Sequence, residues 1–243
     1  VDLLPILQGT LPPIVAALLL VTLGGARLLS LAAAAGLFVA YGLLKAWPAW
    51  PHELWSSPNG MQWLLWVVVA SALLTAVEHA GMGRGRPAAW AGAALAAAGC
   101  WLVLQKVAAR WTPWEIGLQV GVSALLLFWL VPALRHALRV ARPGLLPAIL
   151  ATALLSVDAV LLAAHGSALL GQLCGAVAAA SGAAIGTALW RRPFALAAAD
   201  GTWIATAHGL FLLAGVYIAE LPLGFAIGFV APLLLLLLWR RSA

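Results

Sequence analysis

Apolar residues run through this chain in long blocks, and the polar positions fall almost entirely between the blocks. Counting from one Pro, Gly or charged break to the next gives nine runs: 11–26, 28–46, 61–78, 88–106, 113–134, 144–164, 167–190, 194–219 and 223–239. Each is close to the ~20 residues that a helix needs to cross a bilayer. The pattern predicts an all-α polytopic membrane protein, a bundle of eight or nine transmembrane helices in a single domain over 1–243. The first run is the weakest. "LPP" at 11–13 interrupts it, since proline removes a helical hydrogen bond, and residues 3–8 are expected at the surface.

Composition changes the picture only by naming the solvent. The chain is 65% hydrophobic and 8% charged, with a mean hydropathy of +1.06, whereas soluble domains are roughly a quarter charged. A soluble fold of this length has no interior large enough for so much apolar surface, so the lipid bilayer is the expected partner. The net charge of +6 does not point to nucleic acid. Its basic residues stand singly or in pairs at the ends of apolar runs, which is a membrane pattern. No signal-peptide pattern is read at the N-terminus.

Those basic residues also give an orientation. With the loop after 61–78 in the cytoplasm, Arg27, Arg84, Arg86, Arg135, Arg139, Arg142, Arg191, Arg192, Arg240 and Arg241 all face inside. Lys45, Lys106 and Arg110 face outside. Lys and Arg favour the cytoplasmic side, so the C-terminus is expected inside, in a bacterial-type cytoplasmic (inner) membrane. The outer stretch "KAWPAWPHELWSSPNGMQW" (45–63) then carries Trp47, Trp50, Trp55 and Trp63 at the headgroup level, as interfacial anchors. Its prolines stop the second run, and "SSPNG" is turn chemistry.

In lipid, helices associate where small residues let backbones approach. GxxxG spacing occurs at Gly117/Gly121, Gly171/Gly175, Gly182/Gly186 and Gly224/Gly228. The run 167–190, which holds two of these pairs, is expected near the centre. The same Gly/Ala-rich faces are where other membrane subunits would dock. A weak internal repeat is also visible. "ASALLT" at 70–75 echoes "ATALLS" at 151–156, and "GAALAAAG" at 92–99 echoes "GAVAAASG" at 175–182. Offsets of 81 and 83 residues would map three runs onto the next three, as in the inverted repeats of secondary transporters.

Candidate chemistry lies in the ionisable groups placed inside apolar runs, which are costly there and are functional suspects for that reason. Asp158 and His208 sit deep in such runs, with Asp200 and His165 one to two turns nearer the ends and Glu78 closing 61–78. If 144–164 and 194–219 are neighbours, Asp158, His165, His208 and Asp200 form a polar track that a proton or cation could follow. Ser156, Gln172, Thr202 and Thr206 would add hydrogen bonds to it. The competing reading makes Asp200 a helix cap and any Asp–His pair a simple interhelical tie.

Other chemistries find little support. Cys100 and Cys174 lack a CxxC or metal-ligand spacing, so no metal site is expected, and no cofactor is assigned. "AASG" at 179–182 and "AHG" at 207–209 superficially resemble the serine and histidine segments of rhomboid intramembrane proteases. That family places a helix between the two, whereas here they lie on consecutive runs, which rules the reading out. "LLSVDAVLLA" at 154–163 faintly resembles the intramembrane acidic motif of TerC-like metal exporters, with Ala159 in place of their usual Asn. No second copy accompanies it, so no residue roles are carried over. Three functions follow, in order of support. The first is translocation of a small solute or cation, possible with proton coupling. The second is a non-catalytic accessory subunit of a larger membrane complex, and the third is a membrane-embedded lipid- or pigment-modifying enzyme.

Overall fold

A computed structural model describes residues 4–44, 49–56, 59–82, 85–140, 145–165, 167–191 and 196–224. These form nine α-helices: α1 (Leu4–Gly24), α2 (Leu29–Leu44), α3 (Pro51–Ser56), α4 (Gly60–His79), α5 (Arg86–Ala108), α6 (Pro113–Val140), α7 (Leu146–Ala164), α8 (Ala168–Arg191) and α9 (Asp200–Ile218). A 3₁₀ turn, Gly25–Leu28, joins α1 to α2. No strand occurs among the described residues.

Six of these helices, α4 to α9, are long and apolar enough to cross a membrane. This multi-pass architecture is that of an integral membrane protein. The number is lower than the eight or nine spans expected. The 16 residues of α2 rise only ~24 Å, short of the ~30 Å hydrocarbon core. The apolar part of α1 is likewise short, Thr10–Leu23. The run at 223–239 lies outside the described residues from 225 onward.

Local chemistry explains where the spanning helices begin and end. Asn59 caps α4, its side chain accepting from the Met61 N–H at 3.1 Å. The helix closes in a Schellman motif, with Gly81 at φ +93°, Gly81 N–H donating to Glu78 O and Met82 N–H to Val77 O. "TPWE" opens α6 as a capping box. The Thr112 N–H donates to Glu115 Oε2 at 2.8 Å, and the Glu115 N–H returns to Thr112 Oγ1 at 3.4 Å.

Several boundaries differ from the runs read in the sequence. Pro12 and Pro13 lie inside α1 and do not end it. Gly36 of α2 stands opposite, where a Cβ would come 2.5 Å from Pro13, so the proline-bearing turn is packed against a neighbour with no side chain. Pro132 is likewise absorbed within α6, which continues to Val140 and carries Arg135 inside the helix.

The helix enclosed on all sides is α9. Every residue from Asp200 to Gly215 is buried, and α4, α5, α6, α7 and α8 all pack against it. The glycine-rich α8, expected at the centre, contacts α1, α2 and α7 and only touches α9. Gly171 makes the tightest approach of α8 to α7: a Cβ there would come 2.7 Å from Ala163 Cβ and 2.8 Å from Ala159 O. Gly175 and Gly182 also face α7, at 3.8 Å from Ala159 and 3.6 Å from Thr152, while Gly186 meets nothing within 4 Å.

The internal repeat is not carried through. The segments that echo each other lie on α4 and α7, and on α5 and α8; α4 packs on α5, and α7 on α8, each as a hairpin. The third members diverge. Within their spanning windows α9 is 83% buried and α6 only 22%.

The tryptophans read as an interfacial belt fall in different surroundings. Trp50 and Trp55 are exposed, at 61% and 66%, and α3 is tied down by stacking of Trp50 on Trp66 and by the Trp66 indole N–H donating to Ala49 O at 2.9 Å. Trp63 is a correction. It is buried in the bundle with Trp55 edge-on to its ring, because the first turn of α4 already packs against neighbouring helices. Trp47 lies outside the described residues.

Candidate functional site

Among the described residues, three contacts between ionisable side chains join helices across the bundle, and all three reach α9. At the first, His208 Nδ1 of α9 lies 2.6 Å from Asp158 Oδ2 of α7, with side chains 1% and 0% exposed. The pair links residues 50 apart in sequence through an otherwise apolar layer. His208 Nε2 and Asp158 Oδ1 are both buried with no hydrogen-bond partner among the described residues. One imidazole nitrogen is therefore held by the carboxylate, while the other keeps an unused donor or acceptor position.

The second contact lies two turns away along α9, where His79 Nε2 of α4 stands 3.2 Å from Asp200 Oδ1. Asp200 is fully buried and collects further donors. The Ala197 N–H donates to its Oδ2 at 2.8 Å, and the Trp203 indole N–H to Oδ1 at 3.4 Å. Asp200 thus braces the turn that leads into α9, without a capping bond to the backbone of the helix itself, and also pairs across to α4.

The third contact is a bidentate ion pair. Arg135 of α6 donates through both terminal nitrogens to Glu78 of α4, at 2.8 and 2.7 Å, and through Nη1 to Thr202 Oγ1 of α9 at 2.8 Å. Planar two-point pairing of this kind is among the strongest side-chain contacts. Thr206 Oγ1 donates to Thr202 O, continuing the polar line one turn along α9. An open cleft of about 390 Å³ adjoins the second and third contacts, lined by Arg27, Glu78, His79, Ala197, Ala198 and Ala199.

The single track expected from the sequence is thus two separate stations on one helix. Asp158 and His208 meet, as neighbouring helices allow. Asp200 and Glu78 meet residues that the track did not include, His79 and Arg135. His165 stands at the C-cap of α7, seven residues beyond Asp158. Arg135 is the residue of this cluster that sequence reasoning missed, because an arginine at the end of an apolar run reads as a loop cation. The available signal was its place in "LVPALRHALR", still in an apolar register after Pro132.

A buried carboxylate–imidazole pair has clear chemical capacity. It is electrically neutral when it holds one proton beyond the bare carboxylate and neutral ring, and singly negative without it. A surrounding of low polarity favours the neutral state. Such a pair can take up or release one proton, or receive a hydrogen-bond donor on the unused ring nitrogen. Among the described residues, no group of three or more His, Cys, Asp or Glu gathers to hold a metal ion. Cys100 and Cys174 are free and buried, the Cys174 thiol donating to Leu155 O at 3.3 Å. Comparison with protein-family models, curated proteins and solved structures finds no match to this chain.

Proposed function

We propose that this protein translocates a small solute or cation across a membrane with coupling to protons, the Asp158–His208 pair holding the coupling proton. The observation that carries the reading is this fully buried pair, joining two spanning helices and leaving His208 Nε2 and Asp158 Oδ1 without partners among the described residues. A purely structural tie gains most when its polar atoms are all satisfied. Two unused atoms inside the span instead leave room for a transferable proton or a donor on the substrate. In this reading α1 and α2 complete the bundle beside the six spanning helices, and the arginine-rich end that bears Glu78, His79 and Asp200 faces the cytoplasm.

The test uses purified protein in liposomes with a pH-sensitive dye inside. Panels of small cations and neutral solutes are added outside. A solute that drives proton flux in the parent, but not in Asp158→Asn of equal thermal stability, supports the reading. If no solute in the panel moves protons, or if Asp158→Asn transports as the parent does, the reading fails.

One observation favours the accessory-subunit reading. On α6, Gly117 and Gly121 have nothing within 4 Å of a built Cβ, and Leu118, Val122, Leu125, Leu126 and Trp129 beside them are exposed. Close helix packing is what such small-residue spacing permits, and no helix of this chain uses it here among the described residues. Stoichiometric co-purification of other membrane proteins in mild detergent would move the assignment to that reading.

A further inference from the structure

We propose that Glu78, His79, Arg135 and Asp200 form a one-proton clamp, a proton-binding site at the cleft whose occupancy holds the ends of α4, α6 and α9 together. Adjacent residues of α4 reach different helices here: Glu78 pairs with Arg135 of α6, and His79 with Asp200 of α9. Arg135 also bonds Thr202 of α9, so each of the three helices is tied to the other two.

The charges explain why a proton matters. Two carboxylates against one guanidinium leave the group one unit negative. A proton on His79 cancels that unit and turns the His79–Asp200 contact into an ion pair. The side chains are 0% exposed for Asp200, 2% for Arg135, 11% for Glu78 and 12% for His79. An uncompensated charge is expensive at that depth, so the protonated group is the closed one. Loss of the proton admits water between the helix ends. The cleft lined by Glu78 and His79 gives the proton its route to solvent.

Among the described residues, the other charged groups near His79 are exposed rather than buried with it. The 3₁₀ turn brings Arg27 to the cleft wall, but Arg27 is exposed. Arg86 of α5, and His136 and Arg139 of α6, are exposed too. From α2 the nearest polar group is Ser30, bonded to Ala72 O, while Tyr41 lies towards the other end beside Gln62. The His52 and Glu53 of α3 pack at the opposite end of α4, where Trp55 meets Trp63.

Spin labels on Met82→Cys and Arg139→Cys, both exposed positions, report the separation of the α4 and α6 ends in the reconstituted full chain. The native Cys100 and Cys174 are buried and stay in place. Measurements at about pH 6 and about pH 8.5 bracket the range in which an imidazole changes charge. The parent is expected to widen reversibly on going to the higher pH by at least one water diameter, roughly 3 Å. Asp200→Asn, neutral without the proton, stays short at both pH values. His79→Gln, one unit negative throughout, stays long at both. A parent separation that does not change with pH overturns the clamp, as does movement of the two variants in the same direction. The distances are read without any flux, so the clamp and the transport reading stand or fall separately.

Discussion

Gly201 of α9 lies directly against the backbone of Arg135: a Cβ built on the glycine would come 2.8 Å from the Arg135 nitrogen and 2.9 Å from its Cα. The crossing of α6 and α9 at this point is what lets Arg135 reach both Glu78 and Thr202. Gly201→Ala should push the helices apart and cost about 1–3 kcal/mol, the usual range for overpacking. Thermal unfolding of the purified protein checks this. A variant that melts with the parent would mean that the two backbones are not in contact.

The Asp158–His208 pair makes a stability prediction of its own. His208→Ala removes one partner and leaves a fully buried carboxylate unpaired, a loss of about 3–5 kcal/mol. The double variant Asp158→Asn/His208→Gln keeps polar groups of similar size without a net charge, and should recover much of that loss. Unfolding measurements on the parent, Asp158→Asn, His208→Gln and their double variant close the cycle, with His208→Ala measured beside them. Equal losses in His208→Ala and the double variant would show that the carboxylate is not confined as described.

Along α8, two glycines of the same sequence motif should behave in opposite ways. Gly171→Ala drives a methyl into Ala163 and the Ala159 carbonyl and should destabilise by about 1–3 kcal/mol. Gly186→Ala meets nothing within 4 Å among the described residues, and should be neutral or stabilising by up to about 1 kcal/mol, since alanine favours helix. Comparing their melting temperatures decides the point.

The tryptophans separate in the same way. Trp63→Ala empties a buried site and should cost about 3–5 kcal/mol. Trp63→Phe should cost much less, because it keeps an aromatic ring and removes an indole N–H that is buried without a partner. Trp50→Ala, at an exposed stacked ring, should lose no more than about 1.5 kcal/mol. The order of these three melting temperatures is the measurement.

Sequence reading located the helices because breaks in polarity coincide with breaks in helix, as at Asn59, Gly81 and Thr112. Asp158 and His208 were legible too, since a charge inside an apolar run is visible without any structure. That they meet was not legible, because nothing local encodes a contact 50 residues away. Arg135 was misplaced because the rule that counts arginines at helix ends treats each one as a loop marker, so the apolar run 113–134 was closed just before it. The centrality of α9 was hidden for a further reason. In lipid, a face that meets other helices is as apolar as one that meets acyl chains, so composition does not say which helix lies inside. Trp63 shows the same blindness at a helix start.

The enclosure of α9 also has a consequence for how the chain assembles. During synthesis α4, α5, α6, α7 and α8 emerge before the helix they surround. Until α9 arrives, Asp158 lacks its imidazole, His79 lacks its carboxylate and Arg135 lacks the Thr202 hydroxyl. The last described spanning helix therefore acts as a keystone. Its insertion brings both polar stations to completion in one event and closes a bundle whose earlier helices cannot settle around an empty axis.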